Sequence, residues 1–184
     1  SIEAIVEQRV EFERADVDVR PDQARISVEV GGRPAALWVV HAGVDQRRSL
    51  PQFATRTFAK EMKGHTSPAT GRPVLLWADS FTEYFSTAAG RSAVELLEKS
   101  GFEVRFLERQ QCCGLTWIST GQLETAAELV AAAVEQLHPY VSQQIPIVGL
   151  EPSCLAVIRN DAVELIDDPR MAEVAAGMFT LAEL

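Results

Sequence analysis

From Pro73 onward the chain alternates short apolar runs with longer stretches of helical periodicity. PVLLWAD (Pro73–Asp79) is an apolar run closed by a carboxylate, as in a strand buried on both faces. TAAGRSAVELLEKSG follows and puts Ala89, Ala93, Leu96 and Leu97 on one helical face, with Gly101 as a stop. FEVRFLE (Phe102–Glu108) predicts the next strand. Beyond a polar loop, Leu123, Ala126, Ala127, Val130, Val134 and Leu137 form a second helical stripe. Ser119 and Gln122 suit a capping box before it, and Pro139 marks its end. IPIVGL (Ile145–Leu150) predicts a third buried strand. EPSCLAVIRND then turns into a short helix with Ser153 as cap, and a last helix is expected over Arg170–Met178. Strand and helix alternating up to Asp161 predict a parallel sheet with right-handed crossovers.

The first third has another character. Ile2, Ile5, Val6, Val10 and Phe12 recur at roughly helical spacing over Ile2–Arg14. ARISVEVGGRPAALWVV reads as two strands around Gly31-Gly32, a pair that permits a tight hairpin. The mixed-charge stretch after it suggests a connector with one short helix near Thr55–Met62, and GHTSPATGRP reads as a boundary. The expected organisation is therefore an N-terminal segment over 1–70 (helix, hairpin, connector) and a cysteine-rich α/β domain over 71–184. In fold class the chain is α/β: a three-layer Rossmann-like domain with a short parallel sheet, preceded by a small α+β segment with a hairpin.

Composition narrows the function. The 184 residues carry a formal net charge of −9, which disfavours a phosphate backbone as partner. No apolar run approaches the ~18 residues of a membrane span. Residues 1–20 are amphipathic and acidic, unlike a signal peptide. Three cysteines, an odd number, do not make a secreted disulfide scaffold. These features suggest a cytoplasmic location. The start at Ser1 suggests a piece of a longer protein, with Ser1 a cloning remnant. No G-x-G-x-x-G or P-loop indicates nucleotide binding.

The chemistry concentrates behind the predicted strands. Asp79 closes the first, Cys112 and Cys113 follow the second, and Glu151 and Cys154 follow the third. In a parallel sheet these ends share one edge, where open α/β folds bind ligands. Thiolates suit soft metals and iron–sulfur clusters, and carboxylates add oxygen ligands. Gly114 lets the backbone bend closely around a bound group, and Ser153 opens the helical turn that carries Cys154, where partial positive charge favours a thiolate. Plainer roles are open as well. Free cysteines are often small buried apolar residues, and strand-end carboxylates often cap helices. His41, His65 and His138 have no ligand-like spacing, and Trp77 and Trp117 suit packing. A Cys112–Cys113 thiol switch is the least favoured reading, because a bond between adjacent cysteines is strained.

The motif CCG (Cys112–Gly114), with Asp79 33 residues before it and Glu151 38 residues after Cys113, resembles the cysteine-rich CCG domain of iron–sulfur oxidoreductases. That family includes one of the subunits of heterodisulfide reductase, the iron–sulfur subunits of glycolate oxidase and anaerobic glycerol-3-phosphate dehydrogenase, and lactate-utilisation proteins. GRPVLLWADSFTEYF, LLEKSGFEVRFLERQQCCG and IPIVGLEPSCLAVIRND are similar to the C-terminal end of fused FAD-linked oxidases of the D-lactate or D-2-hydroxyglutarate dehydrogenase type. LPQFATRTF resembles the connector into their last domain, so the likeness covers about Leu50–Asp161; 1–43 has no match. The family pattern has cysteine where Asp79 and Glu151 stand here, and Cys112, Cys113 and Cys154 are in register. The resemblance implies an electron-transfer domain that is not catalytic by itself. It would hold an iron–sulfur cluster, [4Fe-4S] in type, or zinc, on Cys112, Cys113, Cys154, Asp79 and Glu151, with Gly114 and Ser153 beside it. It implies FAD and ferredoxin-like modules upstream in the same chain, a quinone or redox protein as acceptor, and a place in the cytoplasm or against the inner face of the membrane. The alternative is a structural or docking domain that has lost its cluster or binds zinc.

Overall fold

The computed structural model describes residues 53–184 in full, together with the backbone of three strands nearer the N-terminus. Those strands are β1 (Phe12–Arg20), β2 (Gln23–Val30) and β3 (Arg33–Trp38), an antiparallel sheet in the order β1-β2-β3. Val30 stands opposite Arg33, so β2 and β3 bracket Gly31-Gly32 as a hairpin should. The helical spacing over Ile2–Arg14 ends in strand at Phe12–Arg14, and its remainder lies outside the described residues. The chain divides into two compact units, Ser1–Thr57 and Phe58–Leu184.

The second unit is built on four parallel strands: β4 (Pro73–Trp77), β5 (Glu103–Phe106), β6 (Ile147–Gly149) and β7 (Met178–Phe179), in the order β5-β4-β6-β7. Before β4 comes α1 (Phe58–Met62), the short helix expected near Thr55–Met62. Between β4 and β5 lie α2 (Ser80–Tyr84) and α3 (Thr87–Lys99); between β5 and β6 lie α4 (Leu115–Ser119) and α5 (Leu123–Val141). After β6 come α6 (Pro152–Ala156), a π-helical turn (Val157–Asp161), α7 (Ala162–Leu165) and α8 (Pro169–Ala176). Since β5 and β6 flank β4 on opposite sides, right-handed crossovers must lay α3 and α5 on opposite faces of the sheet. Side-chain alternation along β4 follows suit. Val74 and Leu76 pack with Phe58, Ala93, Val94 and Leu97 on one face. Leu75 and Trp77 pack with Val130, Val134, Leu137 and Ile147 on the other. The result is the three-layer α/β domain. Among the described residues no helix is long and apolar enough to cross a membrane.

Several local expectations are corrected. In α3 the buried face is Gly90, Ala93, Val94 and Leu97, whereas Ala89 and Leu96 are exposed. The stripe of α5 runs through Ala126, Val130, Ala133, Val134 and Leu137, and Leu123 is exposed at the helix start. The Ser119–Gln122 capping box is absent: Ser119 ends α4, and Gln122 caps α5 without a side-chain hydrogen bond to the helix, its amide donating back to Thr120 instead. Pro139 lies inside α5, within its last turn. There a proline removes one hydrogen bond near an end that frays anyway, so the helix continues to Val141. The last helix starts at Pro169 and stops at Ala176, because Met178 and Phe179 leave it to pair with Ile147 and Val148. Arg159 of the π turn holds that strand, donating to the Met178 carbonyl from Nη2 at 2.6 Å.

Gly90 sits where α3 meets α1 and α2. A Cβ there would stand 2.6 Å from Cε2 and 2.7 Å from Cδ2 of Phe58, and 2.9 Å from Cγ2 of Thr82. Gly90→Ala must therefore overpack a core in which Phe58 is 2% exposed. We expect a loss of about 1–3 kcal/mol, read as a lower urea midpoint at unchanged slope; an unchanged midpoint would show that the Phe58 ring moves aside freely.

Candidate thiol site

The order β5-β4-β6 makes the gap between β4 and β6 a topological switch point, the crevice where open α/β folds bind ligands. The β4 loop delivers Asp79 and Ser80 to it, and the β6 loop delivers Glu151 through Cys154. The cysteine loop comes from β5, at the sheet's edge, and is drawn across β4. Trp77, buried at the end of β4, donates its indole Nε1–H to the Gln111 carbonyl at 3.1 Å. Gln110 is fixed next to it, its Nε2 donating to Ser80 Oγ at 3.1 Å. Tyr84 Oη donates to Gln110 Oε1 at 3.4 Å.

Cys113 and Cys154 meet beneath this loop. The Cys113 Sγ–H donates to Cys154 Sγ at 3.0 Å, and both side chains are buried. Cys112 lies nearer the surface, hydrogen-bonded to Cys113 and Ser80. The Gly114 N–H also points at its Sγ, at 3.5 Å. Gly114 caps α4 at φ +82°, and a Cβ there would come within 3.4 Å of the Ala126 carbonyl oxygen. Both the left-handed backbone and the close approach of α5 therefore select glycine.

The two carboxylates are helix caps. Asp79, 3% exposed, uses both oxygens: Oδ1 accepts from the Phe81 and Thr82 N–H groups at 2.8 and 3.0 Å, and Oδ2 from Thr82 Oγ1 at 2.7 Å. Glu151 Oε2 accepts from the Cys154 N–H at 2.7 Å and from the Ser153 hydroxyl. This corrects the expectation that Ser153 caps α6. Glu151 is the N-cap, Pro152 takes the first helical position, and the exposed Ser153 only donates to the cap.

Cys112 and Cys113 are hard to ionise. Hydrogen bonding to Cys113 and burial push the Cys112 thiol far up, outweighing the opposing bonds from Gly114 and Ser80. The bond with Cys112 pulls Cys113 down, but its bond to Cys154 and its burial prevail, and it is pushed up to about 11. For Glu151, partial burial acts upward, and the bonds from Ser153 and Cys154 outweigh it to hold the carboxyl below its usual range.

A soft group bound by thiolates is tested by these distances. Two thiolates on one tetrahedral centre, with bonds of about 2.3 Å, stand ~3.8 Å apart, farther than the 3.0 Å between Cys113 and Cys154. Among the described residues no three or more His, Cys, Asp and Glu side chains are gathered to hold a metal ion. The sulfurs suit such a group in kind and would need to spread by under an ångström. Asp79 does not suit it, since both oxygens are committed. Ser80, Gln110, Tyr84 and Thr82 support the site and were not singled out from the sequence; the adjacency of Ser80 to Asp79 and of Gln110-Gln111 to the cysteines was the available signal. On the sheet's other face a cavity of about 340 Å³ is lined by Phe58, Leu76, Glu83, Phe106 and Gln110, with no thiol in its wall.

The class of domain follows from this rim of thiols on a three-layer sheet. Residues 80–159 match the family model of the cysteine-rich domain called CCG, and it is this stretch that carries the likeness. Over 127 residues, 67% of this chain and 32% of the relative, it is 23% identical to a subunit of the anaerobic glycerol-3-phosphate dehydrogenase of Escherichia coli (strain K12). Over 102 residues, 55% of this chain and 41% of the relative, it is 30% identical to lactate utilization protein A of Bacillus thuringiensis (strain Al Hakam). The same figures hold for lactate utilization protein A of Bacillus cereus (strain B4264). The chain thus spans a third to two-fifths of the curated relatives it matches. No solved structure matches it significantly.

Cys113 bears on pH stability with a definite sign. An acid whose folded pKa is raised keeps its proton in the folded chain while the unfolded chain loses it. Its contribution is complete below the ordinary thiol value of about 9 and is lost as pH rises through about 11. We expect the thiolate ultraviolet band of the folded protein to titrate later than that of a urea-unfolded control, and stability to fall across that window. Coincident titrations would contradict the buried, hydrogen-bonded arrangement.

Proposed function

We propose that the chain is the cysteine-rich electron-transfer module of a larger FAD-linked 2-hydroxy-acid dehydrogenase, holding an iron–sulfur group on Cys112, Cys113 and Cys154. The observation that carries this reading is the meeting of thiols from two remote loops at the switch point, with Cys113 and Cys154 in contact and Cys112 hydrogen-bonded beside them. When bound, such a cluster supplies one-electron transfer at a potential tuned by burial and by hydrogen bonds to sulfur.

This chain's own residues would do the positioning. Ser80 and Gln110 orient Cys112, Trp77 anchors the loop, and the Gly114 N–H offers a hydrogen bond to the sulfur. Loading requires the thiols to release their protons. Flavin and ferredoxin-like modules upstream in the same polypeptide would supply electrons, and a quinone or a redox protein would take them. Free thiols fit a reducing compartment such as the cytoplasm.

One observation favours a second reading. Asp79 and Glu151 stand where the family pattern has cysteine and are spent on capping. On that reading the domain docks its neighbours without a cluster, or binds zinc through its thiols.

Reconstitution separates the two. The chain, kept from oxygen and given ferrous iron and sulfide, should become brown. Cys112→Ser, Cys113→Ser and Cys154→Ser should each weaken iron binding by about tenfold or more, since even changes behind a metal's ligands cost 10–100-fold. Asp79→Asn, which preserves a capping side chain, should leave iron content unchanged. Protein that stays colourless and takes up one zinc would select the second reading.

A further inference from the structure

We propose that Cys113 and Cys154 are a reversible dithiol–disulfide couple, closed by a hydroperoxide and reopened by a small dithiol, with Cys112 left as a free thiol. The inference rests on the geometry of the pair and concerns the chain without a bound cluster, since the same two thiols would ligate one. Their sulfurs are 3.0 Å apart, closer than two thiolates sharing a metal and about 1 Å from the ~2.04 Å of a disulfide. The two cysteines are 41 residues apart in sequence yet already share a hydrogen bond.

The remaining thiol is set aside by its own contacts. Cys112 is held by Ser80 and by the Gly114 N–H, and a bond to its neighbour Cys113 would be strained. Burial selects the oxidant. Cys113 is 3% and Cys154 9% exposed, among Trp77, Val130 and Leu155, so hydrogen peroxide can reach them on local opening and bulky disulfide reagents cannot.

The chemistry balances. One thiolate attacks a peroxide oxygen; the O–O bond breaks, a sulfenic acid forms and hydroxide leaves, taking up the released proton as water. The partner sulfur then attacks the sulfenic sulfur, the S–O bond breaks, the S–S bond forms and a second water leaves. Two thiols are oxidised by two electrons and one peroxide is reduced to two waters. An external dithiol reverses the state by two thiol–disulfide exchanges, becoming a cyclic disulfide itself.

The test uses the full chain, reduced without oxygen, titrated with hydrogen peroxide and then alkylated. Non-reducing mass spectrometry should show a loss of two hydrogens, a Cys113–Cys154 cross-linked peptide and an alkylated Cys112. Dithiothreitol should restore three alkylatable thiols, and the oxidised form should melt several degrees higher. Cys112→Ser should form the same Cys113–Cys154 cross-link. Three results overturn the proposal: a cross-link through Cys112, within or between chains; over-oxidation of Cys113 or Cys154 without a cross-link; or an untouched pair at peroxide levels that oxidise Cys112. Wild-type protein carries the decisive measurement, so a poorly folding variant cannot obscure it. Iron reconstitution uses a different readout, and its failure would leave this result in place.

Discussion

The Trp77 indole lies at the end of the central strand, buried against α5, with its N–H on the Gln111 carbonyl. That bond brings an edge-strand loop over the middle of the sheet. Together with Gln110 on Ser80 and Cys113 on Cys154, it holds the loop after β5 at the β4–β6 crevice, where Cys154 stands at the start of α6. An indole buried without a partner would be costly, so the fold's need to satisfy Trp77 and the site's need to position Cys113 are met by one interaction. The Tyr84–Gln110–Ser80 chain continues it outward to Cys112. Tertiary packing and thiol geometry are therefore not separable here, and what loosens the core under Trp77 also separates the sulfurs.

The carboxylates are a second instance of residues serving the backbone. At a strand end followed at once by a helix, several N–H groups lack partners. Asp79 satisfies two of them and the Thr82 hydroxyl, and Glu151 satisfies the Cys154 N–H. Cysteine at either place would be a weak cap and a good ligand; carboxylate is the reverse. Asp79 and Glu151 therefore serve the scaffold. The Cys154 N–H held by Glu151 fixes the turn that aims Cys154 at Cys113.

Much of the architecture was legible in the order of residues, because strands buried on both faces read as unbroken apolar runs, as Val74–Trp77 does. Meeting of the cysteines followed from topology: strand ends of a parallel sheet share a rim. What could not be read depended on where neighbours lie. Leu96 and Leu123 belong to helical stripes by spacing, yet they are exposed because the sheet contacts the adjacent face. Ser153 looks like a cap by residue type, but Pro152 moves the helix start back to Glu151. The roles of Ser80, Gln110 and Tyr84 arise only once the β5 loop crosses β4, a displacement that no local pattern records.

The protonation of the thiols links these observations. A site of three ionised sulfurs, partly buried in an acidic chain, would repel itself and destabilise the fold. With Cys112 and Cys113 pushed toward the neutral form, the sulfurs satisfy one another by weak hydrogen bonds, and the core closes over them at little electrostatic cost. The same protons are what a cation, or an oxidant, must remove. The domain can thus be stable with its thiols reduced, and the contact that keeps it so is sulfur against sulfur at 3.0 Å. Both proposed fates of the pair, ligation or a bond between the sulfurs, therefore rest on the same scaffold around Trp77.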